Sequence, residues 1–171
     1  MLDQAFAPTV EGEARLLLLI DAFSAGGEHL QGRVKLAKLD FLLRYPRFFE
    51  RAMKARGRKK IQTDPEDPAI EERMVRFRYG PWDPAYYALL GRLLGRGLIT
   101  TVPGGRYIGF RVTEAGHEAA GAIGETDAWA VTAKRARTLR AEFREHKGTW
   151  LQDFIYQVFP EVTGAEWGRL L

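Results

Sequence analysis

The sequence predicts a mainly α-helical fold with a small β-hairpin. Three observations carry that prediction. Apolar residues recur at helical spacing in several separate stretches, a Pro103-Gly104-Gly105 step divides two short β-prone runs, and glycines or prolines punctuate nearly every junction. At 171 residues with 46% hydrophobic and 12% aromatic content, the chain has enough apolar side chains for a real core and too many for wholesale disorder.

The elements follow in order. Residues 10–25 place Leu16, Leu17, Leu19, Ile20 and Phe23 at helical spacing and end on Gly26-Gly27. A second helix fits 33–45, with Leu36, Leu39 and Leu43 as its core stripe, Lys35 and Lys38 off that stripe, and Pro46 as its stop. Helix resumes over 47–55 around Phe48, Phe49 and Met53, and 56–68 reads as an exposed loop, first basic and then acidic. Residues 74–79 alternate as a short strand or extended lead-in. Asp83 and Pro84 then suit the cap and first position of a helix to about Arg96, with Tyr86, Leu89, Leu90, Leu93 and Leu94 inward and Ala85, Ala88, Gly91 and Gly95 outward.

The hairpin comprises 98–102 and 106–112, with Pro103 and Gly104 as its central turn residues. Thr113 caps a helix to about Ile123, a longer helix covers 126–146, Gly148 breaks it, and a last amphipathic stretch runs from Trp150 to Phe159. Helix, helix, extended segment, helix, hairpin, helix is the outline of a winged helix-turn-helix core. The expected organisation is a winged-helix domain over 1–124, a basic then acidic insertion at about 47–72, and a helical extension over 125–171 that packs on the domain or on a partner.

The chain has no cysteine, which removes thiolate catalysis and disulfides and fits a reducing compartment. With no signal-peptide pattern in the first residues and no apolar run near the ~20 residues that span a bilayer, the expectation is a cytoplasmic protein. The net charge of +4 is unevenly placed. Residues 33–60 hold eleven Lys or Arg against Asp40 and Glu50, a local +9 that leaves −5 elsewhere.

Catalytic signatures are lacking: Ser24, the only serine, has no nucleophile-elbow context, and His29, His117 and His146 fit no metal-binding spacing. No catalytic residue, metal or cofactor is expected. For nucleic acid, the candidates are Arg33, Lys35, Lys38, Arg56, Arg58, Lys59 and Lys60 in the basic block, Arg92 and Arg96 on the third helix, and Arg106 at the hairpin tip. Base readout needs several adjacent polar side chains, whereas the outward face of that third helix is mostly Ala and Gly. The cations therefore suit phosphates without sequence preference, an acidic protein surface, or solvent. Aromatic side chains favour a protein partner: Trp82, Trp150, Phe154, Tyr156, Phe159 and Trp167 are the candidate anchors, with packing on the domain's own core as the alternative for most of the tail.

Three strings in this order, GRVKLAKLDFLLRYP at 32–46, RFRYGPW at 76–82 and LQDFIYQVFP at 151–160, resemble the small middle component of bacterial ABC three-component systems. That family includes the third subunit of Lamassu-type anti-phage defence. The resemblance implies a non-catalytic subunit that bridges an SMC-like ABC ATPase and an effector, often a nuclease; separately, the charge of the basic block suggests non-specific contact with double-stranded DNA. It assigns no catalytic residue, and the basic insertion does not map onto its pattern. The alternative is a free-standing winged-helix transcriptional regulator.

Overall fold

The computed structural model describes residues 8–61 and 84–164. The expected strand at 74–79, the acidic stretch 64–72, Trp82, the Asp83 cap and Trp167 lie outside the described residues. Eight α-helices and three strands occur among those described: α1 (Val10–Ser24), β1 (Leu30–Gln31), α2 (Gly32–Arg44), α3 (Pro46–Ala55), α4 (Ala85–Gly95), β2 (Ile99–Gly104), β3 (Tyr107–Val112), α5 (Glu114–Gly124), α6 (Ala130–Phe143), α7 (Gly148–Val158) and α8 (Pro160–Gly164).

Helix α1 is the axis. Thr9 caps it by accepting from the Gly12 N–H at 3.0 Å. Its five consecutive apolar residues, Leu16 to Ile20, are all buried. A helix that is apolar all round must be covered all round, and α1 packs against α2, α4, α5, α6 and β3. A turn carrying Gly26 and Gly27 at φ of 72° and 79° reverses the chain into β1.

The sheet is antiparallel with order β1-β3-β2, Leu30 pairing with Phe110 and Gln31 with Gly109. β1 is a two-residue strand that sequence alone did not suggest. The hairpin turn also differs from expectation. Pro103 pairs with Ile108 and Gly104 with Tyr107, so Gly105 and Arg106 are the central residues. Gly105 has φ of 69° and, among the described residues, no non-glycine residue has positive φ, the requirement of a turn with glycine first. Thr113 caps α5 as expected, accepting from the Gly116 N–H at 3.0 Å.

The C-terminal helices close on the same core. α6 lies against α1 and α7 against α2, and Leu139, Phe143, Leu151, Ile155, Phe159 and Val162 are fully buried in one cluster with α1 and α2. Of the helix expected over 126–146, Ala130–Phe143 is helical, and Gly148 opens α7 rather than merely ending its predecessor. A Cβ at Gly148 would stand 3.1 Å from the Lys35 amide nitrogen, so glycine lets the start of α7 approach the first turn of α2.

This return of α7 overturns one expectation. Lys35 and Lys38, expected off the core stripe, are 2% and 3% exposed. Lys35 Nζ donates to the Arg144 carbonyl at 2.8 Å, placing a cation at the C-terminal end of α6, and Lys38 Nζ lies 5.5 Å from the Tyr156 ring centroid. Desolvation lowers both lysines from 10.5 to about 8, offset in part at Lys35 by Glu145 and Glu28.

A pH dependence follows. Below pH 8 folded and unfolded chains both carry these protons, and the full cost of burying the charge is present. Between pH 8 and 10.5 the folded chain releases them first, the unfolded chain binds more protons, and stability rises with pH. Unfolding midpoints measured across that window should climb less steeply in Lys38→Met than in the parent; an identical slope would contradict the assignment.

Candidate functional site

The basic block does not form one surface. Besides Lys35 and Lys38, which the fold removes from the candidate nucleic-acid contacts, several of its cations engage the chain itself. Arg51 pairs with Glu161, and both Arg56 and Arg58 pair with Glu142. The Arg51 pairing holds the Glu161 carboxyl below its ordinary range. Lys54, Lys59 and Lys60 remain exposed, and Arg33 is exposed with its guanidinium 5.1 Å from the Tyr87 ring centroid.

Arg92 and Arg96 of α4 reach back to Glu13 of α1, at 3.2 Å and 3.5 Å. They answer an acid that is itself buried, so they are less available to phosphate than their helix position suggested. The exposed positions of α4 are Tyr87, Ala88, Gly91, Arg92, Leu94 and Gly95. Ala85, expected outward, is buried, whereas Leu94, expected inward, is 37% exposed. No described atom lies within 4 Å of where a Cβ would stand at Gly91 or Gly95.

The candidate partner anchors divide similarly. Phe159 is fully buried, its ring 5.8 Å from Phe41 and 5.0 Å from Phe48, and is a core residue rather than an anchor. Trp150 is 36% exposed, but His146 stacks on it at 3.6 Å and Phe154 at 5.3 Å, with the Arg56 guanidinium 5.4 Å from its centroid. Burial and the Arg56 and Lys35 charges lower the His146 pKa. Trp150 thus has part of its ring surface taken by the chain's own side chains. Phe154 and Tyr156 are half-buried.

A groove of about 520 Å³ lies between the hairpin tip and the starts of α2 and α7. Arg33, Arg106 and Lys147 line it together with Tyr107, Ile108 and Gln152, and no Asp or Glu is among the described residues that line it. Tyr107 and Ile108 are 58% and 59% exposed. The residues preceding the two helices, Gln31 and Lys147, make no side-chain capping hydrogen bond. Of this set, sequence reading had singled out Arg33 and Arg106. Lys147, Tyr107 and Ile108 join them only because α7 folds back on α2 and the β1–β3 pairing swings the hairpin beside both.

A second cleft holds Asp21, Ser24 and His117. The Ser24 hydroxyl donates to the Ile20 carbonyl at 2.7 Å and accepts from the Val112 N–H at 3.1 Å, which commits it to fastening β3 to α1. His117 contacts Asp21 at 2.7 Å, and that hydrogen bond raises its pKa. Among the described residues no three His, Asp or Glu side chains gather as a metal ion would require, and no helix is long and apolar enough to cross a membrane. Comparisons with protein-family models, with curated proteins and with solved structures found no match.

Proposed function

We propose that the chain is a winged-helix accessory subunit of an SMC-like ABC ATPase defence complex, non-catalytic itself, docking between the ATPase and an effector such as a nuclease. The strand order β1-β3-β2, with β1 between α1 and α2 and the β2–β3 hairpin after α4, supports the winged-helix reading. The three family-like strings support the complex.

The observation that carries the reading is the outward face of α4. In a sequence-reading winged helix, this face would present Arg, Lys, Asn, Gln or Ser to base edges. Here Ala88, Gly91, Leu94 and Gly95 are exposed, and the two arginines of the helix lean on Glu13. Glycine inside an exposed helix costs roughly 0.5–1 kcal/mol relative to alanine. Two such residues, with no described atom within 4 Å of their Cβ positions, support a partner whose surface comes close to the helix backbone. The same feature disfavours a free-standing regulator. Nucleic-acid contact is secondary in this reading and independent of sequence.

The test is co-expression with the neighbouring reading frames. The chain should co-purify with a long coiled-coil ATPase and an effector. Gly91→Gln and Gly95→Gln should each stabilise the isolated chain by roughly 0.5 kcal/mol and weaken the complex at least tenfold. A chain that binds neither protein overturns the reading.

A further inference from the structure

We infer that the groove between the hairpin tip and the starts of α2 and α7 binds a single strand of nucleic acid, with phosphates on Arg33, Arg106 and Lys147 and a base against Tyr107. It rests on residues other than the outward face of α4.

Charge comes first. Three exposed cations converge from three places distant in sequence, and no carboxylate is among the described residues that line the groove. The acids that act on Lys35, at the groove's floor, are Glu28 and Glu145. They also pair with Arg140 and Arg144. Arg33, Arg106 and Lys147 leave the described lining of the groove positively charged, and phosphodiesters entering it would release counterions.

The second observation is the ring. Tyr107 is 58% exposed, yet its Cβ lies 3.6 Å from where a Cβ of Gly32 would stand. Gly32 has φ of 82°, a conformation that suits glycine and brings the start of α2 under the tyrosine. The ring carbon Cδ1 is equally close at 3.6 Å, so one edge of the ring lies over the start of α2 while more than half of the residue stays exposed. A positioned aromatic beside a cationic track is how single strands are held without sequence preference, because every base has a face to stack. Ile108, also exposed, extends the apolar wall.

Size favours a single strand. A hollow of about 520 Å³ is of small-molecule scale, which suits an unpaired base and its phosphate entering it better than the body of a duplex.

Fluorescence anisotropy of the full chain with a labelled ten-nucleotide oligo-dT, against a duplex of equal length, tests this. Oligo-dT should bind more tightly than the duplex. Arg106→Ala with Lys147→Ala should weaken it at least tenfold at low salt and reduce the slope of log affinity against log salt by about 1.4, the loss of two phosphate contacts on a single strand. Tyr107→Ala should weaken it roughly 5- to 100-fold with the slope unchanged. Lys59→Ala with Lys60→Ala, outside the groove, should change little, and thermal midpoints should confirm that all variants fold. Equal affinity for the duplex, a neutral Tyr107→Ala, or a loss confined to the Lys59 and Lys60 pair would overturn the inference.

Discussion

Alanine at position 40 should cost the fold about 3–5 kcal/mol, the scale for removing one partner of a buried ion pair. Asp40 has no exposed side-chain surface and takes a bidentate pair of bonds from Arg15, Nε to Oδ1 at 2.6 Å and Nη2 to Oδ2 at 3.1 Å. The Tyr86 hydroxyl donates to Oδ2 at 2.7 Å. One carboxylate thus joins α1, α2 and α4 at the level where they cross. Its removal takes a carboxylate from the Arg15 charge, 12% exposed, and one acceptor from the Tyr86 hydroxyl. Denaturant unfolding should show the loss, and the double variant Asp40→Leu with Arg15→Met should recover part of it, because no charge is then stranded. A loss under ~1 kcal/mol for Asp40→Ala would contradict this account of the crossing.

Gly116→Ala should be nearly as damaging, destabilising by about 3 kcal/mol or more, the upper range for overpacking. Gly116 sits in the first turn of α5, and a Cβ there would overlap the Leu98 carbonyl. That neighbour is main chain and cannot swing aside. The Leu98 carbonyl accepts from the Thr113 N–H, and the Thr113 hydroxyl donates to Gly97, so the whole junction between α4, β2 and α5 would have to shift. Gly121, on the same helix, has no described atom within 4 Å of its Cβ position. Gly121→Ala should therefore leave stability unchanged or raise it by up to ~1 kcal/mol. Thermal unfolding of the two variants side by side checks the pair; equal effects would contradict the packing.

The contrast between these glycines shows what a sequence does and does not disclose. Helices with a one-sided or all-round apolar pattern were legible: α1, α2, α3, α4 and α5 fall within a residue or two of where periodicity, caps and prolines put them. β1 was not, because two residues carry no alternation, and its existence depends on Phe110 and Gly109 of a distant strand. The hairpin was legible, but its turn was placed two residues early, since Pro103-Gly104 and Gly105-Arg106 are both plausible central pairs and only the strand register chooses.

Charge was the least legible feature. Arg58 finds Glu142, Arg51 finds Glu161, and Arg92 finds Glu13, partners 79 to 110 residues apart that no local count reveals. Lys35 and Lys38 looked outward because Leu36, Leu39 and Leu43 already supplied a core stripe. The second packing face of α2 is created by α7, which returns from more than a hundred residues downstream. The groove cations Arg33, Arg106 and Lys147 share no local pattern for the same reason.

The central claim is that this chain acts as a subunit through a helix face built for a protein. Co-purification from cells expressing the chain with its neighbouring genes tests it most directly. A stable complex containing the coiled-coil ATPase and an effector, lost with Gly91→Gln and Gly95→Gln while the isolated variants gain stability, is the expected result. A chain that elutes alone, or a complex indifferent to both substitutions, would contradict it.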